Sequence, residues 1–228
     1  MSQNHQTNGE HQPVLAKETL ACLDPKPGES YLDLTAGYGG HASLVLAVTN
    51  APSKLVLVDR DESAIDSLKK RFKTSQIIKS DYLSACQKLA KDKARFDLIL
   101  ADLGVSSPHL DNPDRGFSFK LSGPLDMRMD QSQELSALQL VNDTSEEELA
   151  QIIKNYGQDP KAKAIARSIV ANRPIVDTSL LAEIIVKSYK SWARTSRIHP
   201  ATRTFQALRI VVNDELNQLR SSLPLMCQ

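Results

Sequence analysis

Cysteine is scarce in this chain, and its spacing excludes two scaffolds. The three residues Cys22, Cys86 and Cys227 form no C-x-x-C pair, which argues against a structural zinc site and a disulfide framework. They read as reduced thiols of a cytosolic protein, and no metal is expected. There is no run of about 18 apolar residues, and the polar opening Met1 to His11 lacks a signal-peptide core. The expectation is a cytoplasmic protein without a membrane span, its first ten residues a disordered tail. Internal repeats and low-complexity tracts are also absent. A net charge of +1 over 228 residues gives no bulk argument for a nucleic-acid partner.

Charge is nevertheless unevenly distributed. Asp130 to Ile153 holds six acids and no Lys or Arg, whereas Lys187 to Arg209 holds six basic residues and no acid. Within and beside the second stretch stand Trp192, Arg194, Arg197, His199 and Arg203. Cations interleaved with an aromatic ring suit a phosphate backbone and an unstacked base, although a solvated helix face is the commoner fate of a basic run.

The most informative stretch is Tyr31 to His41, Tyr-Leu-Asp-Leu-Thr-Ala-Gly-Tyr-Gly-Gly-His. A short apolar strand stops at Asp33, enters a turn rich in glycine (Gly37, Gly39, Gly40) and leads into a helical pattern. Backbone without Cβ atoms and free N–H groups at a helix start suit a nucleotide-type cofactor. The turn also matches the loose dinucleotide pattern G-x-G-x-x-G/A, which keeps a nicotinamide cofactor open. Two acids favour S-adenosylmethionine. Asp33 would attract the ammonium of a methionine moiety and repel a pyrophosphate. Asp59, which ends the next apolar run 22 residues after Gly37, lies where an acid would accept ribose hydroxyls. The blander alternative is that both are simply turn residues after strands.

Strand and helix alternate onward. Strands are predicted at Lys54 to Asp59, Gln76 to Lys79 and Phe96 to Ala101, with helices at Pro13 to Leu23, Gly40 to Val48, Asp61 to Lys73 and Leu83 to Lys91. A doubly wound parallel α/β sheet is the economical fold, with ligands beyond the carboxyl ends of its strands. Asp33, Asp59, Asp81 and Asp102 all fall at such ends, and one pocket explains four of them better than chance does. Tyr82 could stack on a purine beside Asp81; alternatively, Asp81 caps a helix and Tyr82 is core.

After Asp111 the rhythm changes. A long loop from Asn112 to Asp130, with apolar residues that argue for order, precedes helices at Ser132 to Val141, Ser145 to Tyr156, Pro160 to Ala171 and Thr178 to Tyr189. One long amphipathic helix is expected from Pro200 to Ser222, its stripe formed by Phe205, Leu208, Val212, Leu216 and Leu219.

Several motifs together carry a specific resemblance: Asp33-Leu-Thr-Ala-Gly-Tyr-Gly-Gly-His41, Val58-Asp-Arg-Asp61, Asp102-Leu-Gly-Val-Ser-Ser-Pro108, Arg115-Gly-Phe-Ser-Phe119, Gly123-Pro-Leu-Asp-Met-Arg-Met129 and His199-Pro-Ala-Thr-Arg-Thr-Phe-Gln-Ala-Leu-Arg209. From about His11 to about Leu219 the chain resembles the bacterial small-subunit rRNA cytosine-N4 methyltransferases, the RsmH or MraW family. The resemblance implies a Rossmann-like methyltransferase domain (residues 11–111), an inserted helical substrate-recognition domain (112–198) and a return helix of the first domain (199–228). It implies S-adenosyl-L-methionine as cofactor, 16S rRNA of the small ribosomal subunit as partner, and methylation of a cytosine N4, with a homodimer left open. Implied cofactor contacts fall on Gly39, Gly40, His41, Asp59, Tyr82, Asp102 and His109, joining Asp33, Gly37 and Asp81 from the strand-end argument. Tyr82 stands where relatives commonly have Phe, and His109 where they often have Gln. Asp102, Ser107 and Pro108 are the candidates for holding the target amine, although Asp102 could serve the cofactor alone and solvent could be the base. Arg115, Arg128, Trp192, Arg194, Arg197, His199 and Arg203 are the candidate RNA contacts. Relatives continue into further strands and a Ser-Phe-His-Ser-Leu-Glu-Asp motif that this sequence lacks. The expectation is a shortened chain, with a catalytically silent rRNA-binding protein as the rival reading.

Overall fold

The computed structural model describes residues 13–189 and 198–228. The expected disordered tail (1–10) lies outside them. The chain divides into two compact units, residues 1–104 with 219–228, and residues 105–218.

The first unit is built on four parallel strands, β1 (Tyr31–Asp33), β2 (Leu55–Asp59), β3 (Gln76–Lys79) and β4 (Leu98–Leu100), in the order β3-β2-β1-β4. Leu32 pairs with Val56 on one side and Ile99 on the other. Side-chain alternation divides the buried residues between two faces. Tyr31, Leu55 and Leu57 pack with Ala42 and Val45 of α2 (Gly40–Thr49) and Ile65 and Leu68 of α3 (Glu62–Arg71), while Leu20 and Leu23 of α1 (Ala16–Leu23) pack beside them. Leu32, Val56 and Val58 face the other way, toward Ala85, Cys86 and Leu89 of α4 (Tyr82–Lys91). Helices therefore cover both faces, as the alternating pattern predicted. The order of connection reverses at β1: β2 and β3 follow on one side, β4 on the other. In sheets of this kind a ligand crevice opens beyond the strand ends at such a reversal.

In the second unit, the predicted loop 112–130 is ordered because its apolar side chains are core. Phe117, Leu125 and Met127 are buried with Leu149 and Ile153 of α7 (Glu146–Gly157), Ile165 and Ile169 of α8 (Ala162–Ala171), Leu181 and Ile185 of α9 (Thr178–Tyr189), and Phe205 and Leu208 of α10 (Ala201–Val212). The unit also holds the short helices α5 (Ser107–Asp111) and α6 (Ala137–Asp143). Helix α6 starts later than expected, at a capping box between Ser136 and Gln139.

The long helix predicted from Pro200 to Ser222 is two helices, α10 and α11 (Glu215–Met226). The break has a local cause. The Asn213 amide donates to the Met127 carbonyl at 2.8 Å, and its side-chain oxygen accepts the Met129 N–H at 2.8 Å, so the ordered loop anchors where the helix stops. Asp214 follows at φ 50°. Of the predicted stripe, Leu216 is exposed and Leu219 packs in the first unit. Helix α10 groups with the helical unit, where the sequence reading had assigned residues 199–228 to the methyltransferase domain. The reason is its close packing on α7: a Cβ built on Gly157 would lie 2.5 Å from the Arg203 carbonyl oxygen. Gly157→Ala should therefore lower stability by about 1–3 kcal/mol, read as a fall in the thermal midpoint, because backbone rather than a flexible side chain must yield.

Candidate functional site

Three acids of the first unit gather around the glycine turn. Asp59, at the carboxyl end of β2, accepts the Gly37 N–H at 2.7 Å with one oxygen and the Asp61 N–H at 2.9 Å with the other. Asp33, at the end of β1, is buried and accepts the Tyr31 hydroxyl at 2.8 Å and the Thr35 N–H at 3.1 Å. Burial pushes its carboxyl up to about 7, with the Asp59 and Asp102 charges adding to the rise and the two hydrogen bonds opposing it. Asp102, just past β4, has a side chain 56% exposed; its oxygen is 3.5 Å from Nε2 of the buried His41. The Asp102 N–H donates to the Thr35 hydroxyl at 2.6 Å, so Thr35 links the ends of β1 and β4.

The glycines of the turn serve different ends. Gly37, at φ 52°, faces open space, and its nearest neighbour to an added Cβ would be the Thr35 carbonyl at 4.0 Å. A Cβ on Gly39 would lie 2.4 Å from the Phe72 ring, and one on Gly40 would lie 3.2 Å from Pro13. In the direction of an added Cβ, Gly37 borders open space, while Gly39 and Gly40 make room for packing. Arg71, at the end of α3, donates to the Tyr38 carbonyl and, at 3.0 Å, to the Ser43 hydroxyl, which braces the turn from beside it.

Asp81 is the N-cap of α4, accepting the Ser84 N–H at 2.8 Å, and Tyr82 is buried among the residues of that face. These are the cap and core roles weighed as the alternative for the pair. Tyr31, Thr35 and Arg71 were missed by sequence reasoning. A tyrosine two residues before a strand-end acid, on the same strand face, was the available signal for the first; nothing in the sequence marked Arg71.

The remaining candidates belong to the second unit. Ser107 and Pro108 open α5, and the buried His109 lies 3.0 Å from the Ser106 hydroxyl through Nδ1, its ring 4.8 Å from that of Phe117. Arg115 and Arg128, both candidate RNA contacts, make hydrogen bonds within the loop. Arg115 donates at 3.0 Å to the carbonyls of Arg128 and Met129. The Arg128 guanidinium grips Asp126 in a two-pronged pair at 2.8 and 2.9 Å and donates at 2.8 Å to the Gln133 carbonyl. Burial opposes the Asp126 charge, yet Arg128 holds that carboxyl below its ordinary value. His199 is exposed and stacks on Phe119 with centroids 4.5 Å apart, and Arg203 donates to the Gln158 carbonyl at 3.2 Å. Trp192, Arg194 and Arg197 lie outside the described residues. Among the described residues there is no group of three or more metal-ligating side chains, and no helix is long and apolar enough to cross a membrane.

Comparison with known proteins decides between the cofactors left open by the turn. The model of the MraW methylase family matches residues 8–228. The chain belongs to this family. It is 47% identical over 214 residues to a ribosomal RNA small subunit methyltransferase H of Synechocystis sp., covering 92% of this chain and 70% of that protein. The protein of the same name from Halothermothrix orenii is 44% identical over 221 residues, covering 94% of this chain and 71% of the relative. That from Trichodesmium erythraeum is 43% identical, covering 93% and 75%. A methylase family leaves no role for the nicotinamide alternative.

The internal pairing of Arg128 generates a prediction. Arg128→Met should cost about 2–4 kcal/mol, because it leaves the Asp126 carboxylate largely buried without its partner. Asp126 is held low in the folded protein, so its contribution is present above its ordinary pKa and lost as pH falls through the lower folded value. Wild type should therefore lose more stability than the variant between pH 4 and pH 2 in acid unfolding.

Proposed function

We propose that this chain transfers the methyl group of S-adenosyl-L-methionine to the exocyclic N4 amine of a cytosine in 16S rRNA of the small ribosomal subunit. The observation that carries the proposal is the convergence of Asp33, Asp59 and Asp102 on an open glycine turn at the reversal of strand order, in a chain of the MraW methylase family. Three carboxylates around one opening suit a cationic ligand and oppose a pyrophosphate. Supporting the same reading, the relatives named as small-subunit rRNA methyltransferases match over more than nine-tenths of this chain, which does not favour a silent RNA-binding protein. A substrate of this kind places the work in the cytoplasm.

Bound at the turn, S-adenosyl-L-methionine supplies a methyl group activated by its positive sulfur. Asp59 has both oxygens fixed by backbone N–H groups at the end of β2, and a carboxylate held there is suited to accept a ribose hydroxyl. Gly37 leaves the approach to the turn clear. The cytosine amine is a weak nucleophile because its lone pair is delocalised into the ring; the enzyme must orient it and accept a proton as the new N–C bond forms. Asp102, exposed at its oxygens and held through its N–H by Thr35, is the group proposed to accept that proton. Ser107 and Pro108 are proposed to hold the amine through hydroxyl and backbone oxygens. A paired cytosine hides this amine, so the target base must be unpaired or turned out of its stack. His199 stacked on Phe119, with Arg203, is proposed to receive the RNA chain.

A transfer assay on small subunits lacking the modification should show one labelled methyl group per subunit. Subunits that bind the chain and its cofactor without labelling would overturn the enzymatic proposal. Asp102→Ala should lower kcat at least about 100-fold while changing cofactor affinity far less. A variant that binds cofactor poorly but turns over normally at saturation would remove Asp102 from proton transfer.

A further inference from the structure

We infer that Tyr31 and Asp33 form a buried pair beneath the cofactor turn, in which the Tyr31 hydroxyl positions the Asp33 carboxyl and cofactor binding displaces a proton from it. The inference rests on the cofactor assignment above and adds a coupling between binding and protonation.

Tyr31 is 0% exposed and Asp33 1%, and the tyrosine hydroxyl donates to one carboxyl oxygen while Thr35 occupies the other. A phenol hydroxyl in the core is costly unless bonded, and here its partner is the acid two residues on along the same strand. Among the described residues, the charged groups that act on Asp33 carry its own sign: Asp59 from the end of β2 and Asp102 from beyond β4. His41, from α2, reaches Asp102 rather than Asp33, and among the described residues no Lys, Arg or His is within ion-pair distance of Asp33. The result is a cluster of three carboxylates with one member buried and lacking a cation.

Burial and like charge disfavour the ionised form of such an acid, consistent with the rise of the Asp33 carboxyl to about 7. The Tyr31 hydrogen bond works in the opposite direction and favours ionisation. A ligand that brings a sulfonium and an ammonium to this opening stabilises the ionised form, so the proton held by Asp33 leaves when the ligand binds. By linkage, affinity should rise with pH up to the ligand-free value of Asp33 and level off above it.

The test is isothermal titration of the intact chain with S-adenosyl-L-methionine, from pH 6 to 8.5, in pairs of buffers with different ionisation enthalpies. Wild type should release roughly half a proton per cofactor near pH 7, falling toward none at the alkaline end. Tyr31→Phe, which removes only the hydroxyl, should move this profile to higher pH. Asp33→Asn should abolish the release. Buffer-independent heats in wild type would overturn the inference, as would a profile unmoved in Tyr31→Phe. Release retained in Asp33→Asn but lost in His41→Asn would assign the proton to the imidazole and also overturn it. Binding without proton release leaves the cofactor assignment standing; absence of binding by both titration and equilibrium dialysis sinks the assignment and the inference together.

Discussion

The first unit depends on a carboxylate that ties a turn to a strand it does not follow. Asp59 closes a 2.7 Å bond to the Gly37 N–H across 22 residues of chain, which fixes the glycine turn against the end of β2. The Thr35 hydroxyl does the same toward β4 by accepting the Asp102 N–H. These two links hold the glycine turn and the ends of β1, β2 and β4 together at the strand-order reversal. The acids at the strand ends are consequently structural and electrostatic at once: hydrogen bonds to backbone hold Asp33 and Asp59, and like charge gathers at one edge of the sheet.

The helical unit solves a different problem, the ordering of a long segment without regular structure. Loop 112–130 stays ordered because its apolar residues enter the core and its polar ones find permanent partners. Arg128 is spent on Asp126 and Gln133, Arg115 on two carbonyls, and Asn213 reaches from the end of α10 to the loop backbone. A guanidinium suits this work, because its planar fork can grip a carboxylate with two parallel hydrogen bonds, as Arg128 does with Asp126.

Much of this was legible in the residue order. The alternation of strand and helix announced a parallel sheet, since buried runs such as Leu-Val-Leu-Val before Asp59 have no polar face. The acids at strand ends were legible as neighbours of the glycine turn, because parallel strands bring their carboxyl ends to one edge of the sheet. What the sequence concealed were contacts made across long separations. The internal hydrogen bonds of Arg115 and Arg128 were hidden because an arginine paired within a loop looks, in one dimension, the same as one facing solvent. The break after Val212 was invisible because its cause is 84 residues away, where the Met129 N–H needs the Asn213 side chain. Tyr31 passed for ordinary core until its hydroxyl was seen to face Asp33.

The crowding of Gly39 by Phe72 ties the shape of the ligand turn to a ring at the end of α3. The two positions cannot drift independently in evolution. A side chain at 39 would meet the Phe72 ring and Leu68 and be strained by its φ of 82°, while a smaller residue at 72 would leave the turn without its backing. The shape of the glycine turn is therefore constrained by the hydrophobic interior behind it.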